Sequence, residues 1–388
     1  MDHDVVKFAS HPVDYGETAD LLDAIRSYLH RYVDVPEAFE RLAAHYVLLS
    51  WVHDRFNELP YLRRRGDYGT GKTRFLLVLG AICYKPIFAG GASTVSPLFH
   101  LIDKIGGTLL IDEADYRFSD ESAQIAKILN SGNVRGFSVL RSESVNGKDF
   151  RPRAFKVFGP KIVAMRTRYS DVALESRFLT ETSANQDVRA DIPINLPGVQ
   201  ADEALRLRNK LLMYRFKNHG QSGKPFAGAM PGLEPRLEQI LSPLLSVAGD
   251  PMDRVAILAH AHAAQAALGE ARGMSLEAEV LSVIKLAMER ERSAGVSVQT
   301  IAQLHGRTYG IENCGRMSAK AMGNILRTRL NLFTHKSHGV YVVPKSQVSA
   351  LCHLYQRYNL DDEDIDRVRE ALGELTRVES GEVGDVRP

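Results

Sequence analysis

Gly66, Asp67, Tyr68, Gly69, Thr70, Gly71, Lys72 and Thr73 spell GxxxxGK[ST] without a gap. The chemistry of such a run is phosphate binding. Glycines without a Cβ let successive backbone N–H groups turn inward around an anion. A helix beginning near Lys72 points its positive dipole end at the same place. Lys72 would reach the β- and γ-phosphates of ATP, and the Thr73 hydroxyl would ligate Mg²⁺. Downstream, Thr108, Leu109, Leu110 and Ile111 lead into Asp112 and Glu113. Asp112 would hold the magnesium, mostly through water, and Glu113 would polarise the attacking water as general base. The expected chemistry is ATP hydrolysis.

These groups need a scaffold that brings distant segments to one edge. Residues 61–65 read as a strand entering the glycine loop, and 74–83 as an apolar helix leaving it. Further strands are expected at 86–88, 108–111 and 161–165, with helices at 97–105 and 122–129. Two strands around a turn are expected at 137–140 and 155–158. Alternating strands and helices imply an α/β fold with a parallel sheet, which places ligands at the carboxyl ends of its strands. Arg63, Arg64 and Arg65 are odd in a central strand. Alternation puts Leu62 and Arg64 on one face, and Arg63 and Arg65 on the other.

Residues 17–59 read as two helices, with Thr18 or Asp20 capping the first and Pro36 opening the second. From about residue 183 strands give way to helices at 201–215 and 233–247, separated by a loop rich in Gly and Pro. A long charged helix follows at 275–292. Residues 296–344 then run helix, helix, strand, turn, strand. The expected division is an N-terminal helical segment at 1–59, an ATPase core at 60–183, a helical lid and linker at 184–270, a winged-helix-like domain at 271–345 and a helical acidic tail at 346–388.

The 44% hydrophobic and 25% charged residues are ordinary for a water-soluble globular chain. No apolar run reaches the roughly 20 residues of a membrane span, so no membrane partner is expected. The first residues lack the pattern of a signal peptide. Cys83, Cys314 and Cys352 have no metal-type spacing. Sparse cysteines suit a reducing cytoplasm. Residues 133–168 hold nine Lys or Arg against Glu143 and Asp149, whereas 361–388 hold ten acids against four bases. A basic block beside the phosphate loop suggests a polyanionic partner.

With these motifs in place, the chain resembles AAA+ P-loop helicases encoded by phages, plasmids and other mobile elements. The resemblance covers about residues 40–250. It is carried by the phosphate loop, by Ile128, Leu129, Asn130, Ser131 and Gly132, by Phe158, Gly159, Pro160 and Lys161, and by Ser176 and Arg177. It implies that Arg177 reaches a neighbouring subunit's ATP as an arginine finger, and that Arg236 senses the γ-phosphate from the lid. It also implies that residues 139–158 form a hairpin in the channel of a ring, a homohexamer by analogy. Asn146 and Gly147 would turn that hairpin. Lys148 at its tip, with Arg151 and Arg153 on the return limb, would grip single-stranded DNA. The sensor Asn expected after 161–165 is absent, and Arg166 or Thr167 stands nearest.

Residues 296–344 resemble a winged helix. Its recognition helix would run 318–329 with Ser318 as cap, and its wing 332–343. Lys320 and Arg327, with Arg316 and Arg329, would face DNA phosphates. Ala321, Ile325 and Leu330 would pack inward. The expected activity is an ATP-driven, ring-forming DNA helicase of mobile-element replication. A DNA-bound AAA+ loader or regulator without unwinding is the alternative, and a remodeller that docks protein through its winged helix a third. A strand-displacement assay separates the first two, and absence of DNA-stimulated ATPase would favour the third.

Overall fold

The computed structural model describes residues 6–90, 95–112, 120–145, 149–169, 171–183, 189–220, 224, 226–273, 275–290, 295–309 and 317–360. The chain divides into two compact units, Met1–Gln265 and Ala266–Pro388.

In the first unit the elements run α1 (Thr18–Tyr32), α2 (Glu37–Val52), β1 (Tyr61–Arg65), α3 (Lys72–Gly80), β2 (Ile87–Ala89), α4 (Val95–Ile105) and β3 (Leu109–Ile111). They continue with α5 (Asp120–Ser131), β4 (Ser138–Val145), β5 (Asp149–Lys156), β6 (Lys161–Met165), α6 (Val172–Glu175), β7 (Phe178–Thr182), α7 (Val199–His219), α8 (Pro235–Val247) and α9 (Pro251–Gly273). The division between units falls within α9.

Five strands form one sheet in the order β2-β3-β6-β1-β7, and every pair is parallel. This mixed α/β arrangement, with a glycine loop after the strand between β6 and β7, is consistent with a P-loop NTPase core. Side chains alternate between the sheet's faces. Leu62, Leu110, Ile162, Ala164 and Leu179 join one core with α1, α2, α3, α7 and α8. Tyr61, Leu109, Ile111, Val163, Met165 and Phe178 join a second core with α4 and α5. Helix α4 shows why it forms: Val95, Leu98, Phe99, Ile102 and Ile105 recur at helical spacing and are all buried. Burying such a side chain fully stabilises the fold by about 1.5–3 kcal/mol over leaving it exposed. Trp51, near the end of α2, is buried, and its indole Nε1 donates to the Ile82 carbonyl at 2.9 Å.

The arginines of β1 find their reasons here. Arg63 is 3% exposed and donates twice to Glu175 of α6. Arg64, on the opposite face, donates to the Asp34 carbonyl at 2.9 Å and pairs in register with Glu181. Arg65 donates to the Thr182 hydroxyl at 3.1 Å. At the start of α1 the cap is Glu17, not Thr18. The Asp20 carboxylate accepts from the Glu17 N–H at 3.1 Å, because a carboxylate three residues on can reach back to it.

The second unit runs α10 (Leu276–Arg290), β8 (Gly295–Ser297), α11 (Val298–Thr308), α12 (Ala319–Thr328), β9 (His335–Ser337), β10 (Val340–Pro344) and α13 (Val348–Arg357). Its antiparallel sheet has the order β8-β10-β9. Ser318 caps α12, its hydroxyl accepting from the Ala321 N–H at 3.2 Å. His338 and Gly339 both have positive φ, 48° and 88°, as a two-residue turn of primed type demands. Ile325 and Leu330 are buried as expected, but Ala321 is exposed. Met322 takes the inward position, because the buried face of α12 lies one residue further along. No helix among the described residues is long and apolar enough to cross a membrane.

Candidate nucleotide site

The loop between β1 and α3 curls because Gly69 and Gly71 adopt φ of 76° and 75°, a region closed to most side chains. Its turn is held by the Thr70 hydroxyl, which donates to the Asp67 carbonyl at 2.8 Å. The Lys72 ammonium donates to that same carbonyl. Asp112 follows β3 directly, and its N–H is fixed by the Ala89 carbonyl at 2.9 Å. This places an Asp112 carboxylate oxygen 2.7 Å from the Thr73 hydroxyl.

These groups border a cavity of about 300 Å³ lined by Tyr68, the 69–74 segment, Asp112 and Arg166. From sequence Arg166 is legible only as a candidate for the sensor position. It stands at the end of β6, with its guanidinium 3.7 Å from the centre of the exposed Tyr68 ring. A second cavity of about 540 Å³ shares Gly69, Thr70, Gly71 and Arg74 with the first. Val33, Ile192, Pro193 and Ile194 give it apolar walls, and Asp34 and Arg189 a polar edge. Arg74 fixes one wall by donating to the Pro193 and Ile194 carbonyls. No local sequence pattern marks this cavity, because its walls come from segments far from the glycine run.

The donor set fits a magnesium ion. A hydroxyl and a carboxylate oxygen lie together beside a phosphate-shaped loop, and Mg²⁺ takes one or two such protein ligands, the rest being water and phosphate oxygen. Glu113 lies outside the described residues.

Arg177 and Arg236 are brought together, away from this loop. Both line a cavity of about 530 Å³ with Asn130, Asn133 and Gln239, and none of its lining residues borders the glycine-loop cavity. Arg177 donates to the Asn130 side-chain oxygen, and its Nε is buried without a hydrogen-bond partner among the described residues. Burial, then the charge of Arg236, lowers the pKa of Arg177.

The limbs of the basic hairpin are β4 and β5, antiparallel from Ser138↔Lys156 to Val145↔Asp149. That register leaves 146–148 as the connection, one residue longer than an Asn-Gly turn, and these residues, Lys148 among them, lie outside the described set. One face of the hairpin rests on α4. There Val139 and Phe155 are buried, and Arg141 lies over the Phe99 ring at 4.5 Å. On that face Arg153 is held by Glu143 and Asp103, each at 3.3 Å. Arg151 is exposed, as are Leu140 and Phe150 on the opposite face. At the hairpin's base Lys161 is 1% exposed, and its ammonium donates to the carbonyls of Gly132, Val157 and Gly159 at 3.1, 2.8 and 3.0 Å.

In the second unit Lys320 and Arg327 of α12 are exposed. Arg327 donates to the Thr334 hydroxyl at 3.3 Å, and Arg329 is paired with Glu277 at 2.9 Å. Arg316 lies outside the described residues.

No protein-family model and no curated protein matches the chain. Among solved structures it is similar to the apo C-terminal region of NrS-1, at 12% identity and a TM-score of 0.38 over 87% of this chain and 78% of that one. It is also similar to an inhibitor-bound JCV helicase, at 17% identity and a TM-score of 0.27 over 71% of this chain and 66% of the other. A third similarity is to the Aeropyrum pernix ORC1 protein in complex with DNA, at 13% identity and a TM-score of 0.24 over 84% and 96% of the two chains.

Proposed function

We propose that this chain is an AAA+ ATPase that assembles as a ring and moves along DNA, most specifically a helicase. The observation that carries the reading is the 2.7 Å approach of Thr73 to Asp112 at the carboxyl edge of a parallel sheet, beneath a glycine loop. The sheet order, with the basic hairpin inserted just before β6, supports the AAA+ assignment. The nucleoside would lie in the cavity walled by Val33 and Ile192, and the phosphates under 66–73. Bound magnesium would neutralise charge on the phosphates. Lys72 would leave the Asp67 carbonyl for the phosphates. In hydrolysis the bond from the γ-phosphorus to the β-bridging oxygen breaks, a water oxygen bonds to phosphorus, and Glu113 receives the water's proton. ADP and phosphate leave.

In this reading the site is completed by Arg177 of the next subunit, which explains why Arg177 and Lys72 occupy separate cavities in one chain. The hairpin would meet single-stranded DNA in the ring, and the second unit would act as a winged helix. Its support is the order α10, β8, α11, α12, β9, β10 and the tight turn at His338 and Gly339.

The test is unwinding of a forked duplex with ATP, read beside DNA-stimulated ATPase. Wild-type chain should separate the strands, and Lys72→Ala should not. ATPase stimulated by DNA without strand separation would replace the helicase by a loader. No stimulation by any DNA would remove the DNA motor altogether.

A further inference from the structure

We infer that Arg177 and Arg236 form one phosphate-binding site that acts across the subunit boundary, so that Arg236 serves the nucleotide of the next subunit and not its own glycine loop. The inference rests on the ring reading above and extends it to a second residue. The resemblance to AAA+ proteins implies the opposite for Arg236, a lid residue sensing its own chain's nucleotide.

The geometry decides between the two. Arg236 is in the first turn of α8, and Arg177 follows Ser176, the C-cap of α6. They line the same cavity, which has no residue in common with that of Lys72, Thr73 and Asp112. Among the described residues the others that line it are neutral, so none of them balances the two guanidinium groups. Asp171 acts on Arg177 only as a smaller influence than the repulsion from Arg236. The Nε of Arg177 is buried and unpartnered among the described residues, although it is a strong donor. Two like charges held together, with donor capacity to spare, are relieved by a multiply charged anion. Guanidinium forks match phosphate oxygens in geometry as well as charge. Neither arginine forms a bond to phosphorus. They would hold negative charge on the γ-phosphoryl oxygens while that group passes to water.

Mixed assemblies test this with ATP as the probe. Arg236→Ala should still take up a fluorescent ATP analogue in its glycine loop, and its turnover should fall by about 10²–10³, the loss typical of one aimed charge donor. Mixing Arg236→Ala with Lys72→Ala subunits should restore ATPase. One chain then supplies an intact glycine loop and its neighbour supplies both arginines. Mixing Arg236→Ala with Arg177→Ala should restore nothing, because every boundary lacks one arginine. If Arg236 served its own loop, the two results would be exchanged, and that exchange overturns the inference. Normal turnover in Arg236→Ala also overturns it. The control pair, Arg177→Ala with Lys72→Ala, isolates the ring reading. If the control gives no recovery although mixed assembly is confirmed, the shared site itself is lost and the inference with it. Should Arg236→Ala fail to fold, Arg236→Gln keeps the side-chain length for the same mixtures.

Discussion

The guanidinium of Arg63 meets the carboxylate of Glu175 through two hydrogen bonds of 2.6 Å, and both residues are at least 96% buried. The same carboxylate accepts from the Tyr169 N–H at 2.6 Å, and Arg63 also reaches the Thr180 hydroxyl at 3.0 Å. The strand entering the glycine loop is thereby tied to the helix preceding Arg177. Breaking such a pair leaves one buried charge uncompensated. Arg63→Met or Glu175→Gln alone should cost about 3–5 kcal/mol in urea unfolding. Arg63→Met with Glu175→Leu together should recover most of that. Unchanged unfolding midpoints in both single variants would show that the pair adds nothing to stability.

Thr73→Val should weaken magnesium-dependent hydrolysis while leaving the loop folded, because it removes one oxygen and keeps the shape. Asp112→Asn should do the same, with a raised magnesium requirement, since it removes the negative charge from the pair. Glu113→Gln should bind ATP and fail to hydrolyse it. A magnesium titration of ATPase checks the first two, and equilibrium binding checks the third. An unaltered magnesium dependence in both Thr73→Val and Asp112→Asn would move the metal elsewhere.

Arg151 and Arg153 should separate on the hairpin. Arg151 is exposed, so Arg151→Ala should make single-strand binding weaker and less salt-dependent, because the salt slope follows the number of phosphates neutralised. Lys148→Ala should do so more strongly and abolish unwinding. Arg153 is already engaged by Glu143 and Asp103, so Arg153→Ala should loosen the hairpin from α4 and leave the salt slope nearly unchanged. Binding across a salt series reads the slopes. Equal slopes for wild type, Lys148→Ala and Arg151→Ala would dismiss the hairpin as a strand-binding element.

Burial pushes Lys161 down to about 7 from its ordinary 10.5. Between those pH values the unfolded chain holds a proton that the folded chain has released. Raising the pH through this window should therefore stabilise the fold. Lys161→Met should be less stable, because the cluster of the Gly132, Val157 and Gly159 carbonyls loses its donor, and should lack this pH-dependent gain. Urea midpoints from pH 7 to pH 10 for the two proteins measure it. Parallel midpoint curves would mean that Lys161 stays protonated in the fold.

The local patterns are the legible ones. The glycine run, the apolar strand before Asp112 and the spacing of α4 each lie within a short window, so alternation and periodicity suffice to place them. Strand β7 escapes such a reading because Thr180, Glu181 and Thr182 follow only two apolar residues, and the segment is an edge strand. Helix α9 escapes it because Ile257 and Ala261 are its only residues in the buried core among the described ones, too few to set a period. The three arginines of β1 have no local explanation. Glu175 and Thr182, the partners of Arg63 and Arg65, are more than 100 residues away in sequence, and Asp34, which accepts from Arg64, is 30 residues away. The company of Arg236 is hidden for the same reason, since only folding brings α8 beside Arg177.

The chain contains a single tryptophan, Trp51, buried in the first unit with its ring 5.2 Å from that of Tyr84. Its emission under selective excitation is therefore a one-source optical signal, blue-shifted while the indole is dry and red-shifted once water reaches it. The second unit, Ala266–Pro388, is dark in that channel. Circular dichroism records helix loss in both units. A melt followed by both signals thus tells apart the loosening of one unit from the other, with no label and no substitution.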